Sequence, residues 1–211
     1  MEDHETEEWH REAITASTEE TLYALRNAKL VDRFYLAGGT GLALQIGHRH
    51  SQDLEFFAEN LFDEEILLQR MLALAGFARL EKAPSTVHAA FKGTKVSFLG
   101  YAYPQLFPFV RFLDVAVADP RDIACMKISA IASRGTKRDF VDLYVAAQRY
   151  GLAELLRLFD RKYATRYNGT HILKSLTFFE DAEKDPTPDM LIPLQWDEVR
   201  RFFLREAPQM L

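Results

Sequence analysis

Residues 38–57 read GGTGLALQIGHRHSQDLEFF, and no other stretch limits the fold of this chain so strongly. The bulky run Arg33–Ala37 before it predicts a strand, Gly38-Gly39 ends that strand, and Thr40–Ile46 predicts a helix. After the basic turn His48-Arg49-His50, Asp53–Ala58 predicts a second strand. A helix that starts at a Gly-Gly turn presents free N–H groups at its positive end, which suits an anion, and Thr40 adds a hydroxyl there. On a strand, Asp53 and Glu55 project from one face while Leu54 points into the core. Two neighbouring carboxylates repel each other, and oxygen ligation of one or two Mg²⁺ ions is the usual relief. Taken singly, a Gly-Gly pair is more often a plain tight turn, and Asp-x-Glu more often an exposed edge pair in water. Together, in this order, they are what is needed to place a nucleoside triphosphate on Mg²⁺.

The flanking sequence continues the mixed pattern. Glu5–Ala28 carries apolar residues at roughly helical spacing and predicts a helix or a broken pair. Asp63 caps a helix running to Ala75. Strands are predicted at Phe77–Glu81, Thr86–Phe91, Lys95–Tyr101 and Arg111–Val117. Beyond residue 118 the character changes: Pro120 opens a helix to Ser133, Gly135 stops it, and Lys137–Arg149 and Leu152–Thr165 predict two more. DPTPD reads as a loop and Trp196–Arg205 as a last helix. The fold class is α+β, with a sheet unit over residues 1–118 and a helical unit over 119–211 packed into one assembly.

At 211 residues the chain has room for one full core with a helical extension. A net charge of −5 argues against a protein that coats nucleic acid through its overall charge, leaving room for a local basic cleft. Arg134, Lys137 and Arg138 are candidates to guide a polyanion, or are simply solvated. The single cysteine, Cys125, forms no internal disulfide and sits among Ala124, Met126 and Ile128 as a small helix residue. His48 and His50 lack the third ligand that zinc requires, and capping or phosphate contact suits them better. No apolar run approaches the ~20 residues that span a bilayer, so no membrane partner is expected. The opening MEDHETEEWH is acidic rather than signal-like, and a cytoplasmic location is expected.

The Gly-Gly-Thr turn followed by Asp-x-Glu resembles the nucleotidyltransferase signature. In detail, AGGTGLALQIGHRHSQDLEFF resembles the AbiEii/AbiGii toxin family, bacterial nucleotidyltransferases of the DNA polymerase β superfamily that include the MenT toxins. DIACMKISAIASRGTKRDFVDLY is similar to the family's lysine-bearing helix and its Arg-Asp-x-x-Asp-Leu-Tyr helix, and SLTFFEDAEKDPTPDM to its C-terminal segment. The resemblance spans about residues 33–205. It implies a polymerase β-like fold in which Asp53 and Glu55 ligate Mg²⁺ or Mn²⁺, and Gly38, Gly39 and Thr40 form the phosphate turn. Ser51 falls at the family's motif serine, Lys127 neutralises the triphosphate and Asp142 acts as a further catalytic acid. Without the resemblance, Lys127 is an ordinary helical lysine, and Asp139 and Asp142 are one exposed ion-pair face.

The superfamily generally holds a third carboxylate on a neighbouring strand. Between Glu81 and Asp114 this chain has no acidic residue, and KVSFLG offers Ser97 on the site face. The third ligand is therefore absent, or comes from Glu81, Asp114 or Asp142. The activity implied is transfer of NMP from an NTP to an acceptor hydroxyl, with the 3′ end of tRNA as a candidate acceptor and a cognate antitoxin as a partner. The alternatives are a nucleotide-binding or interaction module that keeps the fold without turnover, and a kinase-like or phosphohydrolase enzyme on the same acids.

Overall fold

A computed structural model describes residues 9–164 and 168–210, apart from the side chains of Arg79 and Leu80. Two units compose the chain. The sheet unit reaches Ala102 and resumes over Phe109–Val117; the helical unit takes Tyr103–Pro108 and everything from Ala118 onward. The six residues Tyr103–Pro108, expected within the sheet unit, therefore belong to the helical one.

In the sheet unit the expected N-terminal helix is a broken pair: a short 3-10 turn, Arg11–Ala13, precedes α1, Ala16–Asn27. Thr15 breaks the run because its side chain accepts the Thr18 N–H and so caps α1. The part of that prediction before Trp9 lies outside the described residues. β1 is only Tyr35–Leu36, and α2, Gly38–Ile46, starts two residues earlier than expected. Then come β2, Leu54–Ala58, and α3, Glu64–Leu72, capped by Asp63. β3, Phe77–Ala83, β4, Thr86–Phe91, and β5, Thr94–Gly100, form a meander. The single strand expected at Arg111–Val117 is a hairpin, β6, Val110–Phe112, and β7, Val115–Val117. Leu113 and Asp114 both take positive φ between them, the turn geometry that matches strand twist, and a Leu-Asp pair does not advertise it.

The strands form one sheet in the order β3-β4-β5-β2-β1-β7-β6. β2 runs parallel to β5 and antiparallel to β1, so the strand expected to carry both acids is internal and its register is held from two sides. Alternation does the rest. Leu54, Phe56 and Ala58 of β2, Val96 and Phe98 of β5 and Val87, Ala89 and Phe91 of β4 join one buried cluster with Leu22 and Leu25 of α1 and Leu67 and Met71 of α3. The intervening residues leave the sheet on its other face.

The helical unit starts with α4, Pro120–Ser133, and α5, Lys137–Tyr150, followed by α6, Leu152–Tyr163. Thr165, the expected end of the third helix, lies outside the described residues. Two short helices had no strong signal, α7, Gly169–Ser175, and α8, Glu180–Lys184, and α9, Trp196–Glu206, leads into a last 3-10 turn, Ala207–Met210. Phe140 of α5 is its aromatic centre, with ring centroids 5.0 Å from Phe179, 6.0 Å from Trp196 and 5.5 Å from Phe203.

Candidate active site

Gly38 is both the end of a strand and the first residue of a helix. Pairing continues to the last residue before it, since the Ala37 N–H donates to the Glu55 carbonyl at 3.1 Å. Gly38 then takes φ +62°, which side-chain-bearing residues avoid, and a Cβ there would fall on the Glu55 carboxylate. Glycine is thus required by conformation and by the closeness of an acid. At Gly39 a Cβ would fall on the Arg49 guanidinium and come within 3.4 Å of Ser51 Oγ. The two glycines therefore bring an acid of β2 and a cation of the basic turn against the start of α2.

Hydroxyls lock this arrangement. Thr40 Oγ1 donates to the Asp53 carbonyl at 2.5 Å and lies 2.8 Å from Ser51 Oγ. A hydroxyl has one proton, so with Thr40 donating to Asp53, Ser51 is the donor to Thr40. Ser51 is fixed in turn by its N–H, which donates to the Ala13 carbonyl at 2.8 Å. The expected phosphate turn, the motif serine and the first acid are therefore one hydrogen-bonded group. Asp53 is exposed just before β2, and Glu55 is half-buried on it.

The basic turn, the part of the motif with the least definite role in the sequence, contributes Arg49. It is 4% exposed, and its Nη1 donates to the His50 carbonyl at 2.9 Å. A cation beside the positive end of a helix is favourable when an anion lies between them. Only its place in the fold reveals this, because nothing in the sequence distinguishes Arg49 from its two histidine neighbours.

The strand beside Glu55 carries no acid. Ser97 of β5 is the register partner of Glu55, and of the three carboxylates considered in its stead none is its neighbour on that strand. Glu81 lies on the same sheet face but three strands away, which at ~4.8 Å per strand is beyond direct ligation with Glu55. Asp114 sits in the β6–β7 turn and pairs with Arg26, and Asp142 belongs to the helical unit. Among the described residues no group of three or more His, Cys, Asp or Glu side chains is arranged to hold a metal. Mg²⁺ is commonly held by one or two carboxylates and completed by substrate phosphates and water, so the hard oxygen pair Asp53 and Glu55 beside the start of α2 fits it.

Lys127 and Asp142 meet in the helical unit, in a buried network. Lys127 Nζ lies 2.9 Å from Asp139 Oδ1 and 2.7 Å from Asp142 Oδ2, and both acids are essentially inaccessible. Arg134 and the Thr136 hydroxyl also donate to Asp139. Burial alone works to raise the Asp139 carboxyl, but Lys127, then Arg134 and Thr136, outweigh it and hold it below the ordinary carboxylate range. The pair expected to be an exposed face is thus interior. A second buried pair, Lys162 with Asp122 at 2.7 Å, is completed by the Pro104 carbonyl and the Leu106 and Phe107 N–H groups.

The three cations flanking Gly135 separate. Lys137 is buried, donates from Nζ to the Asp185 carbonyl at 2.7 Å and lies over the Trp196 ring. Arg138 is exposed, while Arg134 lines a groove of about 350 Å³ with His171, Lys174 and the exposed Phe178. Cys125 is fully buried, and burial pushes its thiol up to about 12, which removes it as a nucleophile.

The described site is a glycine turn at a helix start with an acid just before, and a second acid on, the next strand of a mixed sheet. Two solved structures share the fold over most of their length. A candidate nucleotidyltransferase of H. pylori superposes with a TM-score of 0.55 at 18% identity, covering 95% of this chain and 94% of that one. The MenT4 nucleotidyltransferase toxin of Mycobacterium tuberculosis gives 0.54 at 17% identity, with 92% and 86% covered. An uncharacterised protein of Aquifex aeolicus is 37% identical over 198 residues, 91% of this chain and 95% of its own. The family model for the nucleotidyl transferase AbiEii toxin, type IV toxin–antitoxin system, matches residues 20–106 and 100–209. The chain belongs to the AbiEii nucleotidyltransferase toxin family.

Proposed function

We propose that this chain transfers a nucleoside monophosphate from an NTP to an acceptor hydroxyl with the help of Mg²⁺ or Mn²⁺. The acceptor oxygen bonds to the α-phosphorus, the bond to the β-phosphate oxygen breaks, pyrophosphate leaves and the hydroxyl proton passes to a base. The observation that carries this reading is the contact of Gly38 with the Glu55 carboxylate, which puts an anion-seeking helix end and a cation-seeking acid pair at one place. Asp53 and Glu55 are the residues that would hold the metal, whose contribution when bound is to offset charge on the phosphates as the bond is exchanged. The free N–H groups of Gly39 and Thr40, with Arg49 beside them, receive phosphate oxygens.

Lys127 and Asp142 enter as a coupled pair. Because Lys127 already neutralises two buried carboxylates, its service to a triphosphate requires that it share its charge with them. For the acceptor we propose RNA, with the tRNA 3′ end as the first substrate to test; the groove with Arg134, His171, Lys174 and Phe178 supplies cations and a stacking ring for a polyanion. Membership of a toxin–antitoxin family supports an antitoxin partner. Purified protein is incubated with each α-³²P-labelled NTP, Mg²⁺ or Mn²⁺ and total tRNA, beside Asp53→Ala. Label should appear in RNA and pyrophosphate should be released, both lost in the variant. Absence of transfer with all four nucleotides would leave a binding module, and release of γ-phosphate would indicate kinase or hydrolase chemistry.

A further inference from the structure

Glu55 begins a row that crosses four strands. Its register partner on β5 is Ser97, the partner of Ser97 on β4 is His88, and that of His88 on β3 is Glu81. Register partners leave a sheet on the same side, so all four side chains emerge on the face opposite the apolar cluster. Ser97 is 4% exposed, and its Oγ lies 2.9 Å from His88 Nδ1. Its neighbours along β5, Val96 and Phe98, are large and fully buried, and a buried hydroxyl opposes folding unless it is hydrogen-bonded. His88 satisfies one of the three hydrogen-bonding positions of the hydroxyl and fixes its orientation, and two positions remain on the sheet face that Ser97 shares with its register partner Glu55.

We propose that Ser97 is a neutral third oxygen arm of the Asp53–Glu55 site, and that His88 is a positioning residue acting through the Ser97 hydroxyl. The proposal rests on the reading of Asp53 and Glu55 as the metal-holding pair. A hydroxyl adds a ligand or water contact without adding charge. A cation at this site is then held by two carboxylates only and depends on phosphate oxygens for the rest, so metal binds weakly alone and tightly with nucleotide.

Mn²⁺ binding followed by electron paramagnetic resonance of the free ion tests this without turnover. Titrations are run on the full chain alone and with the α,β-methylene analogues of ATP, CTP, GTP and UTP in turn, with a thermal melt for each variant. Ser97→Asp should tighten Mn²⁺ binding without nucleotide at least tenfold. Ser97→Ala and His88→Ala should each weaken Mn²⁺ binding in the presence of the analogue by three- to tenfold, and His88→Asn, which keeps a polar atom near the Nδ1 position, should recover most of that loss. Parent-like binding in Ser97→Ala and His88→Ala, with Asp53→Ala still abolishing it, would overturn the proposal and leave the acid pair standing. Mn²⁺ binding unaffected by Asp53→Ala would instead overturn the metal-pair reading beneath it. If Ser97→Asp does not fold, the comparison of His88→Ala with His88→Asn decides, since a purely structural role for His88 would move the melt and not the nucleotide-dependent binding.

Discussion

Single residues decide where the charge of this molecule lies. Gly38→Ala places a methyl at φ +62° and on the Glu55 carboxylate, so it should cost about 1–2 kcal/mol from backbone strain and abolish nucleotidyl transfer. Denaturant melts and the labelled-NTP assay measure the two effects separately. Lys127→Ala removes the partner of two buried carboxylates and should destabilise the fold by about 3–5 kcal/mol, read as a collapsed melting temperature. Asp139 adds a pH dependence. Its carboxyl is held below the ordinary value, so its stabilising contribution is complete above the unfolded pKa of ~3.9 and is lost as the pH falls through the lower folded value. Asp139→Asn should flatten the acid limb of stability against pH in that window.

At the scale of elements, strong local signals were legible and tertiary ones were not. Pro120 at the first turn and Asp119 as cap fixed α4, found at the boundaries expected, and the alternation of Thr86–Phe91 fixed β4 to the residue. The β6–β7 hairpin was not legible because its turn uses Leu113 and Asp114 at positive φ, a conformation favoured there by strand pairing rather than by residue type. The glycine turn, the acid pair and Ser97 on the site face were visible in the sequence, whereas Arg49 and His88 acquire meaning only through the folding of the basic turn and the register of the strands. The β4–β5 turn offers a check on the same physics. Lys92 and Gly93 both have positive φ, so Lys92→Asn should raise stability by about 0.5–1 kcal/mol, measured by chemical denaturation.

For the whole molecule, a net charge of −5 and the proposed RNA acceptor are compatible because Arg134 and Lys174 are gathered in one groove. Lys174→Glu puts a negative charge in the α4–α7 groove without touching the acid pair. It should lower labelling of RNA severalfold and make its loss with added salt shallower, while leaving binding of Mn²⁺ and nucleotide analogue unchanged. A salt titration of RNA labelling in parent and variant checks this. Among the described residues no helix is long and apolar enough to cross a membrane.

The route of the chain between its two units carries a consequence for how the protein is made. The backbone passes from the sheet unit to the helical one at residue 103, returns at 109 and leaves again at 118. Neither unit is a continuous piece of the gene. Released from the ribosome in order, the sheet cannot add β7 beside β1 until the first strip of the helical unit has been synthesised, and that strip waits for Asp122 and Lys162 to receive it. A fragment cut at residue 118 would keep a buried aspartate and lysine without the backbone groups that complete them. Expressed alone, residues 119–211 should be unstable, and co-expression with residues 1–118 should restore a cooperative melt.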